Sequence, residues 1–182
     1  DPAKPPNEPA QVTIDVEGGK PVGLSGEKLD GVPLIERLNK LGGAHGIGRI
    51  DHVENRLVGI KSRELYEAPA AVILHDAHRE LETLCLSKQA QRFKTLVAQE
   101  YADLIYNGLW FSGFHYDLFE FVRSNQRFVD GVVRLKLYKG KATVVGRKSD
   151  HSLYSKKLAT YEAGDQFDHD AAKGFIQIWG LS

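Results

Sequence analysis

Alternation of apolar and polar residues predicts most of the strands in this chain. It is clear in residues 11–16, and residues 21–24 are the expected hairpin partner of that strand. Residues 132–138 and 142–147 alternate in the same way on either side of Lys139-Gly140, which predicts an antiparallel hairpin. A period of two lets each strand bury one face and expose the other.

A further run, residues 47–60, is rich in Ile and Val but contains Gly48, Gly59 and several charges. We interpret it as one strand with irregular edges. In a continuous strand, Glu54 would share a face with three apolar residues, Ile50, Val58 and Ile60. Its carboxylate would then need a cation, either Arg56 or a ligand ammonium. The residues alone favour an internal ion-pair cluster and leave a binding site as the alternative.

Apolar residues spaced three or four apart predict five helices. Their expected limits are Asp30 to Gly43, Pro69 to Leu86, Ser87 to Gly108, a helix between the aromatic linker 109–111 and Gly131, and Asp168 to Trp179. The residues expected to face inward from the third and fourth helices are Phe93, Leu96, Val97, Tyr101, Leu104, Ile105, Leu118, Phe121, Val122 and Phe128. Strands and helices are grouped rather than strictly alternating, so we predict an α+β fold, an antiparallel sheet with a C-terminal hairpin packed by several amphipathic helices.

The first nine residues contain four prolines, which oppose helix and predict an extended arm over residues 1–9. The remaining residues, 10–182, are expected to form one domain, because 182 residues with 42% hydrophobic side chains suffice for a single core. The chain opens on Asp1 and contains no Met, so we expect it to be a piece of a longer protein.

Composition excludes several classes of partner. Twenty-four basic and twenty-four acidic side chains cancel, which disfavours binding to nucleic acid or to a membrane surface. No stretch approaches the roughly 20 apolar residues of a membrane span, and no signal peptide is recognisable. A single cysteine, Cys85, points to a reducing compartment, so we expect the cytoplasm.

Motif absences limit the chemistry of the chain. It has no phosphate-binding loop, no dinucleotide fingerprint and no nucleophile elbow, so we expect no ATP chemistry by this chain alone. His75, His78 and Glu82 have the spacing of a helical zinc site, but Arg79 stands beside them and no fourth ligand is signalled. The sequence therefore predicts no metal centre.

One segment is far more specific. Residues 46–69 contain the pattern G-I-G-R-I-D-x-V-E-N-R-x-V-G-I-K-S-R-x-x-Y-E-x-P, which is similar, nearly position by position, to the synthetase-domain signature of argininosuccinate synthases. Further matches are Asp1-Pro2 and residues 134–140, 144–147, 152–154 and 174–176, so the resemblance covers essentially the whole chain.

The resemblance implies the C-terminal part of a ligase that condenses citrulline and aspartate with ATP to give argininosuccinate, AMP and pyrophosphate. ATP and Mg would be bound mainly by an N-terminal nucleotide-binding half upstream of Asp1, and the isolated chain would be inactive. By the same resemblance, Glu54 and Tyr66 contact citrulline, while residues that complete its site lie upstream. No catalytic residue is expected within this chain.

The implied partners are citrulline, the N-terminal half and other copies in a homotetramer. Five charged neighbours of Glu54 are expected to be scaffold: Arg49, Asp51, Arg56, Lys61 and Arg63. The family's subunit-linking tail helix continues beyond Gly180, whereas this chain stops at Ser182, which leaves assembly open. The alternative function is a non-catalytic oligomerisation module that uses aromatic faces near Trp110, Phe111 and Trp179.

Overall fold

The computed structural model of the chain describes residues 4–159 and 168–181, and within these ranges it contains seven strands and six helices. The strands are β1 Ala10–Glu17, β2 Lys20–Leu24, β3 Glu27–Lys28, β4 Arg49–Asn55, β5 Lys61–Glu67, β6 Gly131–Tyr138 and β7 Lys141–Lys148. The helices are α1 Gly31–Ala44, α2 Pro69–Cys85, α3 Lys88–Tyr106, α4 Gly113–Gln126, α5 Lys156–Ala159 and α6 His169–Trp179. The predicted α+β class is confirmed.

The chain divides into two compact units, Asp1–His151 and Ser152–Ser182. The first unit contains all seven strands and helices α1 to α4, and the second contains α5 and α6. In the second unit, α6 begins as predicted, because the Asp168 carboxylate accepts hydrogen bonds from the backbone N–H groups of Asp170 and Ala171.

An antiparallel five-stranded sheet, in the order β3-β2-β1-β6-β7, forms the centre of the first unit. Alternate residues of β1 and β6 are buried on one face, as the sequence pattern predicts. Helices α1 and α2 pack against this face and against each other. The largest fully buried side chains come from these layers and from the connection before β6: Ile14, Leu34, Leu38, Ile73, Leu81, Val129, Val133, Leu135 and Leu137.

The hairpin of β6 and β7 is also confirmed, with left-handed backbone at Lys139 and Gly140 in its turn. Strand β2 pairs with β1 as expected, while the two-residue β3 was not predicted. The predicted arm is neither helix nor strand over residues 4–9, and its first three residues lie outside the described part.

The N-termini of three helices show where the predicted caps hold and where they do not. The Ser87 side chain accepts a hydrogen bond of 3.3 Å from the Ala90 N–H and begins α3 as predicted. Asp30 occupies the N-cap position of α1, but its side chain makes no capping hydrogen bond. Ser112 caps α4, a role that the sequence analysis did not assign.

Helices α3 and α4 pack on each other around a small second core of Val97, Leu104 and Leu118. Four residues expected to face inward are instead half exposed: Phe93 (55%), Leu96 (59%), Ile105 (50%) and Phe128 (49%). Two helices in contact bury only a narrow seam, so the wider apolar stripe of α3 remains open in this chain.

The single strand predicted over residues 47–60 is wrong. The chain turns at residues 56–60, where the Arg56 N–H donates to the Ile60 carbonyl and Gly59 has φ +84°. The segment is therefore a hairpin, in which β4 pairs with β5 as a separate two-stranded sheet. Val58 and Ile60 lie in and beside the turn, exposed, and do not flank Glu54.

No helix in the described ranges is long and apolar enough to cross a membrane.

Candidate functional site

The β4–β5 hairpin positions both residues that the sequence analysis assigned to a binding site. Glu54 is opposite Ser62 and Ile50 is opposite Tyr66, so the period of two places Glu54 and Tyr66 on the same face of the hairpin. The Tyr66 hydroxyl donates a hydrogen bond of 3.1 Å to Oε2 of Glu54. The break in the predicted strand therefore brings these residues together rather than separating them.

A third side chain reaches the same carboxylate from helix α3. The Tyr106 hydroxyl donates a hydrogen bond of 3.0 Å to Oε1 of Glu54, so each oxygen of the carboxylate accepts from one phenol. The Glu54 side chain is 14% exposed, whereas Tyr66 and Tyr106 are 44% and 49% exposed. The carboxylate is thus less exposed than the two phenols that bind it, and we call this recessed position the hollow.

Two basic side chains of the hairpin flank the carboxylate. Nε of Arg56 lies 3.5 Å from Oε1 of Glu54, and Nε2 of His52 lies 3.7 Å from Oε2. Arg56 is itself held by other partners, because its Nε donates to the Ser62 hydroxyl at 2.9 Å and its NH2 to the Glu64 carboxylate at 2.8 Å. Arg56 thereby braces the hairpin face on which Glu54 lies.

The electrostatics keep Glu54 ionised and both phenols protonated. The hydrogen bond from Tyr106, then that from Tyr66, and the nearby charges of Arg56 and His52 lower the pKa of Glu54 below its ordinary value. The same hydrogen bonds raise the pKa of Tyr66 and of Tyr106. At neutral pH the hollow therefore presents a carboxylate, which can accept a further hydrogen bond because each oxygen has two lone pairs.

Such a group is suited to a ligand ammonium. A charge-assisted N–H···O⁻ bond is stronger than a neutral one, and the Tyr66 hydroxyl stands beside it as an oriented polar group. In the described part of the chain, the Glu54 carboxylate contacts two phenols, an arginine and a histidine.

The predicted scaffold residues lie around the hairpin. On the face opposite Glu54, the Arg63 guanidinium forms two hydrogen bonds with the Asp51 carboxylate, at 2.8 and 2.6 Å. Arg49 pairs with Glu67 at 3.3 Å, and Lys61 donates to the Asn55 side chain. These pairs join β4 to β5 on the face that does not carry Glu54.

The β4–β5 hairpin is attached to the rest of the first unit where Gly48 meets the start of α2. The Ala68 N–H donates to the Gly48 carbonyl at 2.8 Å. Gly48 has φ +90°, and a Cβ atom placed there would lie 2.3 Å from the Pro69 nitrogen. Only glycine fits this approach of two backbones, which sets the direction in which the hairpin leaves the domain.

Sequence reasoning missed Tyr106. It lies at the last position of α3, one residue beyond the apolar stripe, and 52 residues separate it from Glu54. The helix ends there because Asn107 caps it and Gly108, with φ +72°, turns the chain. Nothing local in the sequence signals a contact over that separation.

The three residues weighed as a zinc site have other roles. Glu82 accepts hydrogen bonds from Lys94 at 3.0 Å and from the Gln126 amide at 2.6 Å, and it is 7% exposed. His78 Nε2 lies 2.8 Å from Oε1 of Gln126. His75 lines a cavity beside His78. Within the described ranges, no group of three or more His, Cys, Asp or Glu side chains could hold a metal ion.

Comparison with known proteins gives one consistent result. A protein-family model described as "Arginosuccinate synthase C-terminal domain" matches residues 1–182. An argininosuccinate synthase of Dehalococcoides mccartyi is 58% identical over 176 residues, covering 97% of this chain and 43% of the relative. The synthase of a Synechococcus species is 56% identical over 176 residues, covering 97% and 44%. That of Chlorobium luteolum is 56% identical over 180 residues, covering 99% and 45%. The chain thus spans less than half the length of these relatives.

Proposed function

We propose that this chain, which belongs to the family of argininosuccinate synthase C-terminal domains, binds citrulline for that ligase through Glu54 and Tyr66. The complete reaction condenses citrulline and aspartate with ATP and gives argininosuccinate, AMP and pyrophosphate, as in arginine biosynthesis. The chain would supply part of the citrulline site and be inactive alone.

The observation that carries this proposal is the ionised carboxylate of Glu54 beneath two phenol hydroxyls. The α-ammonium of citrulline would bind Glu54, and the Tyr66 hydroxyl would orient the same end of the amino acid. Because the Glu54 side chain is only 14% exposed, its carboxylate loses part of its hydration, and a ligand ammonium would replace that water. A small zwitterion carries such an ammonium.

The division of labour follows from the chemistry. ATP adenylates the ureido oxygen of citrulline, and the aspartate amine then displaces AMP, so the enzyme needs no protein nucleophile. What it needs is accurate placement of three substrates, which accounts for much of the rate in such reactions. The sequence of this chain has no phosphate-binding loop, so ATP and its Mg²⁺ would be bound mainly by an N-terminal nucleotide-binding half.

Calorimetric titration of citrulline tests the site. We expect measurable heats with the unaltered chain and none with Glu54→Gln, which keeps the shape and removes the charge. Glu67→Gln is the matched control, because Glu67 is on the other face of the same hairpin and is largely exposed. N-acetylcitrulline, which lacks the ammonium, should not bind. Equal heats for the unaltered chain and Glu54→Gln would remove Glu54 from the site.

A separate experiment tests whether activity depends on an N-terminal nucleotide-binding half. The chain alone should release no AMP from ATP, citrulline and aspartate, and addition of a nucleotide-binding half in trans should restore AMP production. AMP release by the chain alone would contradict the proposed inactivity.

A second role, subunit association, is favoured by one observation. Large apolar side chains are exposed around α3 and the segment after it, among them Phe111 at 88% and Leu96 at 59%. Patches of this kind mark contact surfaces, which supports a homotetramer in which the chain also contacts the N-terminal half. Light scattering over a concentration series should show self-association, and a strictly monomeric species at high concentration would argue against it.

A further inference from the structure

We infer that Tyr106 is a positioning residue of the amino-acid site: it holds the Glu54 carboxylate from helix α3 and so fixes where the ligand ammonium binds. This inference rests on the proposed function, because it concerns the same carboxylate. It adds a residue on a different element, 52 positions away in the sequence.

The β4–β5 hairpin is only weakly attached to the rest of the first unit. Strands β4 and β5 form a sheet of their own, unpaired with the five-stranded sheet. Large apolar residues on it, such as Val53 and Leu65, are 62% and 70% exposed, so packing alone holds it loosely. A two-stranded hairpin is only marginally stable by itself, and its direction depends on a few specific links.

The two phenols that bind the Glu54 carboxylate come from different elements. Tyr66 is on the hairpin and moves with Glu54, so its hydrogen bond cannot fix Glu54 relative to the rest of the domain. Tyr106 is outside the hairpin, and its hydroxyl binds the other oxygen. Two donors on opposite oxygens fix the plane of the carboxylate, whereas one donor leaves it free to rotate.

The helix that carries Tyr106 is a rigid element. Helix α3 has 19 residues and is anchored by Val97 and Leu104 in the core that it shares with α4. Its end at Tyr106 is fixed by the hydrogen bond from the Asn107 N–H to the Asp103 carbonyl, at 2.9 Å. The phenol is therefore presented by a rigid element, as a precise ligand site requires.

The hydrogen bond from Tyr106 also affects the protonation of Glu54. The hydrogen bond from Tyr106 is the largest of the effects that lower the pKa of Glu54. His52, Arg56, Glu64 and Tyr66 face the same group from the hairpin. Loss of the Tyr106 hydroxyl should therefore loosen the carboxylate and raise its pKa together, a combination that a purely structural role would not produce.

The test uses Tyr106→Phe, which removes one oxygen and keeps the ring. The matched control is Tyr101→Phe on the same helix, whose hydroxyl lies 3.4 Å from Nδ1 of His115 and does not touch the hairpin. Carbon-13 NMR follows titration of the Glu54 side-chain carboxyl in both variants, without any ligand. We expect its midpoint to rise toward the ordinary glutamate value in Tyr106→Phe and to stay unchanged in Tyr101→Phe.

Citrulline affinity provides the second readout. We expect it to fall roughly threefold to tenfold in Tyr106→Phe and to be retained in Tyr101→Phe. An unchanged Glu54 titration and unchanged affinity in Tyr106→Phe would overturn the inference. If Glu54→Gln abolishes binding while Tyr106→Phe has no effect, only the role of Tyr106 fails. If Glu54→Gln leaves binding intact, the proposed function fails, and the carboxyl titration still decides whether Tyr106 holds Glu54.

Discussion

Replacement of Gly48 by alanine should destabilise the chain much more than replacement of Gly46, two residues earlier in the same connection. Both glycines have left-handed backbone, with φ +90° at Gly48 and φ +72° at Gly46. They differ in the space around them. A Cβ at Gly48 would lie 2.3 to 2.6 Å from backbone atoms of Ala68 and Pro69, whereas the nearest atom to a Cβ at Gly46 is 4.0 Å away.

The loss of stability has two contributions, backbone strain and overpacking, which can be separated. An alanine in the left-handed region costs about 1–2 kcal/mol, which applies to both variants. Overpacking adds about 1–3 kcal/mol at Gly48 alone, because the opposing atoms belong to the backbone and cannot rotate away. The loss should therefore total about 2–5 kcal/mol for Gly48→Ala. The neighbouring Ile47 and Ala70 are each 2% exposed, so this junction is coupled to the main core.

Urea unfolding followed by circular dichroism measures both variants against the unaltered chain, with the slope checked for two-state behaviour. Equal losses for Gly48→Ala and Gly46→Ala would refute the steric argument and leave only backbone strain. A loss below about 1 kcal/mol for Gly48→Ala would refute both parts.

Three further predictions follow from burial and charge. Leu81→Ala, at a fully buried position, should cost about 2–5 kcal/mol, whereas Leu57→Ala at the exposed hairpin turn should stay within about 0.5 kcal/mol; urea unfolding that ranks them equally would contradict this. Lys94→Ala should cost about 1–3 kcal/mol in thermal unfolding, because it removes the cation that neutralises buried Glu82, and a neutral result would show that Glu82 finds another partner. Glu54 has a folded-state pKa below its unfolded value, so the contribution of its carboxylate is complete above the unfolded value and is lost as pH falls through the folded one. Citrulline binding should survive acidification through the ordinary glutamate range before it disappears, and calorimetry at descending pH would contradict this if binding is lost at the ordinary value.

The sequence predicts strands and helices correctly wherever the spacing of apolar residues follows one buried face. Strands β1, β6 and β7 were predicted because a sheet covered on one side alternates strictly, and α2 because Pro69 and the apolar stripe mark its start and its inner face. The Ser87 cap has a local signature as well, since the hydrogen bond that it makes spans only three residues.

The pattern failed where apolar residues are exposed. Leu57, Val58 and Ile60 have the composition of a strand, yet they lie in or beside a turn and are 63% to 78% exposed, so their apolarity does not report burial in this chain. The same holds for Phe93 and Leu96 on α3. Composition cannot distinguish a side chain that faces its own core from one that faces outward.

The site itself was only partly within reach of sequence reasoning. The residue pattern predicted that Glu54 lies on a strand. It did not decide whether the cation beside the carboxylate is Arg56 or a ligand ammonium. Tyr66 entered through the family resemblance. Tyr106 had no signal, because its contact depends on the end of one helix meeting a hairpin that precedes it in the chain.

The central strand β1 has a consequence for how the protein is made. It lies between β2 and β6, and its far end is tied to the start of β6 by a hydrogen bond from the Gly18 N–H to the Asp130 carboxylate, across 112 positions. A nascent chain leaving the ribosome therefore carries β1 with one unpaired edge until β6 has been translated. Formation of this sheet should be late and slow compared with the helices. During that interval, the unpaired edge is open to aggregation, which is the hazard that chaperones counter.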